Sequence, residues 1–83
     1  MIEEKIYFDI RKNGHQIVVK KRKGRKLLNV DNVECDFSYT FNNLKANLSD
    51  GTEIYVKQEQ MDLSLFVNDY QVEHMKLRAL DFL

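Results

Sequence analysis

The fold is decided by residues 8–30, which read FDIRKNGHQIVVKKRKGRKLLNV. Asn13-Gly14 and Lys23-Gly24 divide this segment as two-residue hairpin turns, in which glycine and asparagine accept the positive φ angles required. The two turns place apolar residues of three strands in register on one face: Phe8 opposite Val19, Ile10 opposite Ile17, Val19 opposite Leu28, and Ile17 opposite Val30. A one-residue slip would invert a strand, so two independent turns that agree favour an antiparallel sheet with one apolar face.

The same alternation continues downstream through four further turns. We expect turns at Asp31-Asn32, at Asn42-Asn43 and around Gln58-Glu59, and a three-residue loop at Ser49-Asp50-Gly51 with its glycine in the left-handed region. Three of the resulting pairs are Tyr39 with Ala46, Val56 with Met61, and Ile54 with Leu63. The residues that we expect to be buried are Phe8, Ile10, Ile17, Val19, Leu28, Val30, Cys35, Phe37, Leu44, Ala46, Ile54 and Val56.

Alternation fails after Asn68-Asp69, where continuing the register would place Leu63 opposite His74. Either a bulge near Glu73-His74 resets the phase of a final strand, or residues 71–83 form a helix, and periodicity does not decide between them. The fold class is therefore mainly β. We expect an antiparallel meander of about six to eight short strands that forms a small barrel or a curved sheet, with a short C-terminal helix as the alternative ending.

The composition is that of one small globular domain. Hydrophobic residues make up 43% and charged residues 31% of the chain, and no linker divides residues 1–83. No apolar run approaches the ~18 residues that a membrane span needs, and the first residues lack the pattern of a secretory signal. Cys35 is the only cysteine, which favours a reducing cytoplasm. A chain rich in Lys, Asn and Ile without Pro or Trp is typical of AT-rich genomes, so we expect a bacterial or phage protein.

Charge is unevenly distributed along the chain although its net value is zero. Residues 1–30 carry nine basic and three acidic groups, a net charge of +6, and residues 31–83 carry the compensating −6. The strongest local feature is a run of six cations at the tip of the second predicted hairpin: Lys20, Lys21, Arg22, Lys23, Arg25 and Lys26. The predicted register opposes like charges within this run, at a cost of up to about 1 kcal/mol per pair. The run predicts a binding site for an acidic protein surface or for phosphate, and its other interpretation is a solubilising turn.

Three aromatic side chains fall on the polar face of the predicted sheet: Tyr7, Tyr55 and Phe66. Aromatic rings among lysines on a sheet are typical of proteins that stack single-stranded nucleic acid. Such rings are also buried routinely by a second layer or by another subunit, and this interpretation is the more common one.

No motif for catalysis or metal binding is present in the sequence. Cys35, His15 and His74 are too dispersed to form a recognisable metal cluster or nucleophilic pair. Glu34 and Asp36 share a face, but neighbouring lysine or asparagine side chains account for them on a wet strand. We therefore expect no enzyme, no metal and no cofactor.

These features predict a small, non-enzymatic binding or regulatory protein of the cytoplasm that docks on an acidic protein surface through residues 20–26. A protein partner or self-association ranks first, because the acidic remainder of the chain would repel a polyanion. The alternatives are nucleic-acid binding by the same hairpin and a structural subunit of a homo-oligomer. We expect no membrane association and no small-molecule substrate.

Overall fold

A computed structural model describes residues 4–40 and 43–78, with only the backbone of Tyr39. All regular secondary structure among these residues is β-strand. The strands are β1 (Glu4–Lys12), β2 (His15–Arg22), β3 (Arg25–Val30), β4 (Val33–Glu34), β5 (Ser38–Thr40), β6 (Asn43–Asn47), β7 (Glu53–Glu59), β8 (Asp62–Val67) and β9 (Tyr70–Lys76). Every hydrogen-bonded pair of strands is antiparallel and joins consecutive strands. The predicted antiparallel meander is confirmed, but the described residues form nine strands rather than the six to eight expected, because the segment expected to be one strand between the turns at 31–32 and 42–43 is divided into β4 and β5.

The prediction of one small barrel or one curved sheet is wrong for the described residues. Alternation suggested a continuous strand over residues 33–41, but no strand is present at 35–37. β4 pairs with β3, β5 pairs with β6, and the strands form one sheet of four (β1–β4) and one of five (β5–β9). The sequence pattern did not reveal this break, because Cys35 and Phe37 continue the alternation in which every second residue from 33 to 39 is apolar.

The chain divides by its internal contacts into two compact units, Met1–Asp36 and Phe37–Leu83, and each unit contains one of the sheets. The single domain over residues 1–83 stays a prediction.

In the first unit, the three turns lie where the sequence placed them. Asn13-Gly14, Lys23-Gly24 and Asp31-Asn32 have positive φ at both central positions, as type I′ hairpin turns require. The four predicted apolar pairs of the first three strands are all present. The buried residues of this unit are Phe8, Ile17, Val19, Leu28 and Val30.

In the second unit, two turns are displaced from their predicted positions. Tyr39 pairs with Leu44 rather than with Ala46, and the connecting residues 41–42 lie outside the described residues. The turn expected around Gln58-Glu59 lies instead at Gln60-Met61.

Both displacements preserve the buried face, because an even shift of register leaves every side chain on its original side. Val56 therefore pairs with Leu65 and Ile54 with Val67, where Met61 and Leu63 had been expected. The side chains buried in this unit are Leu44, Ala46, Thr52, Ile54, Val56, Leu63, Leu65, Val67 and Leu77. Of the twelve residues predicted to be buried, Ile10, Cys35 and Phe37 are only half-buried and the other nine are buried.

The final strand is confirmed over β9, and the predicted change of phase is a bulge. Phe66 pairs with Gln71 and Leu65 with Glu73, so that Val72 is the extra residue of the bulged strand. No helix is present within residues 4–40 and 43–78, and so none there has the length and apolar character to cross a membrane. The remainder of the predicted C-terminal helix, residues 79–83, lies outside the described residues.

The loop between β6 and β7 confirms the predicted role of its glycine. Gly51 has a φ of +92° and donates its N–H to the carbonyl oxygen of Leu48 over 3.0 Å. We expect Gly51→Ala to lower the free energy of unfolding by about 1 kcal/mol, because a side chain disfavours this backbone conformation. Urea denaturation measures the change, and an unchanged midpoint would contradict the assigned turn.

Candidate functional site

The β2–β3 hairpin brings together the six cations that the sequence singled out. Lys21 pairs with Lys26 and Arg22 pairs with Arg25, directly before and after the Lys23-Gly24 turn. Directly opposed residues of an antiparallel pair share a face and have Cβ atoms about 5 Å apart. The predicted like-charge pairs are therefore present, and the tip of the hairpin carries a concentrated positive charge.

A bulge in β1 decides which residues of that strand meet the cations. Tyr7 is the extra residue, because the β1–β2 register shifts between Ile6 and Phe8. As a result Glu4 lies opposite Arg22, and Lys5 lies opposite Lys21. Because of the bulge, the charged residues of the three strands form two cross-strand rows. The lysine row consists of Lys5, Lys21 and Lys26, and the mixed row consists of Glu4, Arg22 and Arg25.

Carboxylates contact two of the six cations: Arg22, in the mixed row, and Lys20, two residues before it on β2. Glu4 accepts a hydrogen bond from Nε of Arg22 over 2.6 Å, and a carboxylate oxygen of Glu4 lies 3.3 Å from Nζ of Lys20. These hydrogen bonds, from Arg22 first and then Lys20, lower the pKa of Glu4. A second carboxylate, that of Glu34, lies 3.6 Å from the Arg22 guanidinium. All three ion pairs were missed in the sequence, since nothing within residues 20–26 indicates them.

The lysine row continues the apolar face of the first sheet, and its three side chains are half-buried. Burial lowers the pKa of Lys26, and the charge of Lys21 lowers it further. The charged form of Lys26 is therefore less strongly favoured here than it is in water. An anionic group bound beside this row would reduce the repulsion and restore the pKa.

Lys23 and Arg25 are the most accessible cations of the site. Both are exposed, and neither forms a hydrogen bond or ion pair with the described part of the chain. Among residues 4–40, seven cations lie at this end of the sheet when Lys5 is included, and the carboxylates of Glu4 and Glu34 oppose them, which leaves a net charge of +5 for these described groups. The arrangement can bind anionic groups at an exposed, conformationally restricted turn.

Two of the three aromatic residues that the sequence placed on the polar face contact each other within the second unit. Tyr55 and Phe66 are directly opposed on β7 and β8, with ring centroids 6.0 Å apart and planes inclined by 39°. Both rings are half-exposed on the face opposite the buried residues of the second sheet. Tyr7 lies in the bulge of β1, in the other unit, where burial raises its pKa.

The cysteine and histidine residues have local structural partners. Burial and the charge of Asp36 raise the pKa of Cys35, which favours the less reactive thiol form. His15 lies 2.7 Å from Asp31, and His74 lies 3.3 Å from Asp62. Within residues 4–40 and 43–78 no group of three or more His, Cys, Asp or Glu side chains is arranged to hold a metal ion.

The contact between His15 and Asp31 joins the β1–β2 and β3–β4 turns and should make stability depend on pH. Hydrogen bonds from His15 and from the Gln16 N–H lower the pKa of Asp31 below its ordinary value of 3.8. A carboxyl group whose pKa is lower in the folded state than in the unfolded state stabilises the fold above pH 3.8. This stabilisation is lost as the pH falls through the pKa of the folded state. We therefore expect Asp31→Asn to be less stable than wild type at neutral pH, and the difference to narrow below pH 3.8.

Thermal unfolding monitored by circular dichroism at a series of pH values measures this difference. Asp36→Asn serves as the control, because Asp36 lies on the same unit but forms no hydrogen bond with the described residues. A difference between wild type and Asp31→Asn that stays constant through the acid range would contradict the assigned role of the contact.

The positively charged hairpin is the feature of the described residues that most clearly indicates binding. Its type I′ turn fixes the backbone, the carboxylate of Glu4 on β1 orients two of its cations, and its tip is exposed. Comparison of the chain with protein families, curated proteins and solved structures finds no match.

Proposed function

We propose that the protein is a small, non-enzymatic binding or regulatory protein that docks on an acidic protein surface through the tip of the β2–β3 hairpin. The observation that carries the proposal is the exposed pair Lys23 and Arg25, at an end of the first sheet where the described charged groups sum to +5. Arginine is enriched at protein interfaces, where its planar guanidinium forms paired hydrogen bonds with carboxylates. A complementary acidic surface would also increase the rate of association.

The rigidity of the hairpin supports a docking role. A two-residue type I′ turn leaves the tip little conformational freedom, so that less entropy is lost when a partner binds. The ion pairs of Glu4 with Lys20 and Arg22 restrict two further side chains. The tip therefore presents its charges in an arrangement that is largely formed before binding.

A protein partner is favoured over nucleic acid by the carboxylates beside the cations. Glu4 and Glu34 neutralise part of the positive charge of the mixed row. These are positions where a hairpin that binds nucleic acid would contact phosphates. The second unit also carries seven acidic and four basic residues, a net charge of −3 that repels a polyanion.

Nucleic-acid binding by the same hairpin is the second candidate, and one observation favours it. The two charge rows place cations on both faces of a two-stranded antiparallel ribbon, a shape that the major groove of DNA accommodates. Its cations could then contact phosphates on both sides of the groove.

We further propose that the protein acts in the cytoplasm of a bacterial cell, or of a cell infected by a phage, and that it catalyses no reaction. Its free Cys35 suits a reducing compartment, and the composition suits an AT-rich genome. A core as small as that of an 83-residue chain also leaves little room for an internal active site.

Two polyanions distinguish the candidates: poly-L-glutamate as an acidic polypeptide, and a short DNA duplex. We expect fluorescence anisotropy to show tighter binding to polyglutamate than to DNA at equal charge concentration. Both affinities should fall as salt rises from about 50 mM to about 200 mM, because neutralised charges release counterions. Tighter binding to the duplex would favour the second candidate, and binding to neither would overturn both.

A further inference from the structure

We infer that the second unit carries a receptor groove for the hairpin tip, and that a second copy of this chain supplies the tip. The inference rests on the proposed function, because it names a partner for the same hairpin. Lys23 and Arg25 of one copy would enter the groove of the next, which gives a head-to-tail contact.

The groove lies on the exposed face of the second sheet, over β5–β7 and beside the β8–β9 turn. It has a volume of about 400 Å³ and is lined in part by Glu53, Tyr55 and Asp69. This volume lies within the range of protein ligand sites, about 300–1,000 Å³. All of its lining residues belong to the second unit.

Hydrogen bonds hold the two carboxylate residues of the groove close together. The backbone N–H of Glu53 donates to Oδ1 of Asn68 over 2.8 Å, and the N–H of Asn68 donates to the carbonyl oxygen of Glu53 over 2.9 Å. Asn68 and Asp69 form the β8–β9 turn, with positive φ at both residues. This reciprocal pair fastens the turn to the start of β7, so that Asp69 is held beside Glu53.

The side chains of the groove suit a cation. Neither Glu53 nor Asp69 forms an ion pair with the described part of the chain, whereas Glu59 and Asp62 on the same face contact Lys57 and His74. The ring of Tyr55 offers a face to a guanidinium or ammonium group, in a cation–π contact that adds to the ion pairs. Lys45 also lines the groove and makes its charge less negative, but the two carboxylates outweigh it.

Charge complementarity selects a second copy as the occupant. The first unit has a net charge of +3 and the second has −3, so that neighbouring copies attract when they align head to tail. The two exposed, unpaired cations of the tip equal in number the two unpaired carboxylates of the groove and are opposite to them in charge. A heterologous contact of this kind leaves a free tip and a free groove at the two ends, and so it generates chains unless a ring closes.

The experiment measures the mass of the full chain in solution by sedimentation at low and high salt. Wild type should form dimers and longer assemblies at low salt, and it should dissociate as added ions screen the contact. Reversal of the tip (Lys23→Glu with Arg25→Glu) or of the groove (Glu53→Lys with Asp69→Lys) should each weaken self-association about tenfold or more, because like charges then meet.

Mixing the two reversed variants provides the decisive test. In the mixture, the acidic tip of one variant meets the basic groove of the other, and the unmodified tip meets the unmodified groove. Association should therefore return in the mixture although each variant alone is monomeric. A mixture that stays monomeric, or a wild type that is monomeric at every salt concentration, would overturn the inference.

Two matched controls carry the same charge changes elsewhere. Arg11→Glu with Lys12→Glu alters the other end of the first sheet, and Glu59→Lys with Glu73→Lys alters the second unit outside the receptor groove. Each control changes the net charge of its unit as much as the tip or groove variant does, so both should weaken association less than those variants, and an equal loss would indicate a general charge effect and contradict the inference. Binding to polyglutamate is a separate measurement on wild type: a monomeric wild type that binds this probe disproves the self-contact alone, and a wild type that does not bind the probe disproves the proposed function.

Discussion

Leu65→Ala is expected to lower the free energy of unfolding by about 3 kcal/mol, within a range of about 2–5 kcal/mol for buried leucines. Leu65 is fully buried on β8, opposite Val56 of β7. The substitution removes apolar contacts and leaves a cavity that the rigid sheet fills only in part. A chain of this length has a total stability of about 4–12 kcal/mol, so the variant should lose a large part of it. Chemical denaturation followed by circular dichroism measures the loss.

Met61→Ala is the matched control, and it also tests the register. The sequence pattern placed Met61 among the inward-facing residues opposite Val56, whereas the structure places it in the β7–β8 turn with 37% of its surface exposed. Its replacement should therefore change stability by about 0.5 kcal/mol or less. If Met61→Ala proved as destabilising as Leu65→Ala, the turn would lie where the sequence suggested and the observed register would be wrong.

The second large effect concerns binding. Replacement of Lys21, Arg22, Lys23 and Arg25 by glutamine is expected to weaken binding to polyglutamate about 30-fold, because four ion pairs with the probe, at two exposed and two half-buried positions, contribute roughly 0.5 kcal/mol each. The slope of log affinity against log salt should also become flatter, since fewer counterions are released. Titrations of wild type and variant at several salt concentrations measure both quantities.

The fold should survive this quadruple change. The change removes two directly opposed pairs of like charges, which stabilises the hairpin. It also removes the ion pair of Arg22 with Glu4, which destabilises the hairpin by a similar small amount. Arg11→Gln with Lys12→Gln is the control for a loss of positive charge elsewhere on the same unit. A quadruple variant that folds and binds as tightly as wild type would show that the charge run is only a solubilising turn.

Turn chemistry explains why most of the first unit could be predicted from its sequence. Asn13-Gly14 and Lys23-Gly24 each fix a register, and the apolar residues on either side confirm it independently. In the second unit, Gln60-Met61 has no such composition, although Gln60 adopts a φ of +55°. Tertiary packing rather than turn preference sets that register, and an even shift leaves no trace in the alternation.

The division into two sheets was not predicted from the sequence, and neither was the part of the candidate site that β1 contributes. Apolar residues continue at alternate positions through the break at residues 35–37, so that the sequence pattern is the same as that of an unbroken strand. The bulge at Tyr7 brings Glu4 and Lys5 beside the hairpin cations, and a bulge depends on local backbone geometry rather than on periodicity. The cationic tip itself was evident, because it requires only one short hairpin.

The central claim is that an acidic partner contacts the tip of the β2–β3 hairpin. Nuclear magnetic resonance of ¹⁵N-labelled protein, titrated with polyglutamate, tests it most directly by locating the contact along the chain. The backbone amides of residues 20–26 should show the largest shift changes, and those of Asn13 and Gly14, in the β1–β2 turn, should stay nearly unchanged. Changes concentrated outside residues 20–26, or spread evenly over both hairpin tips, would contradict it.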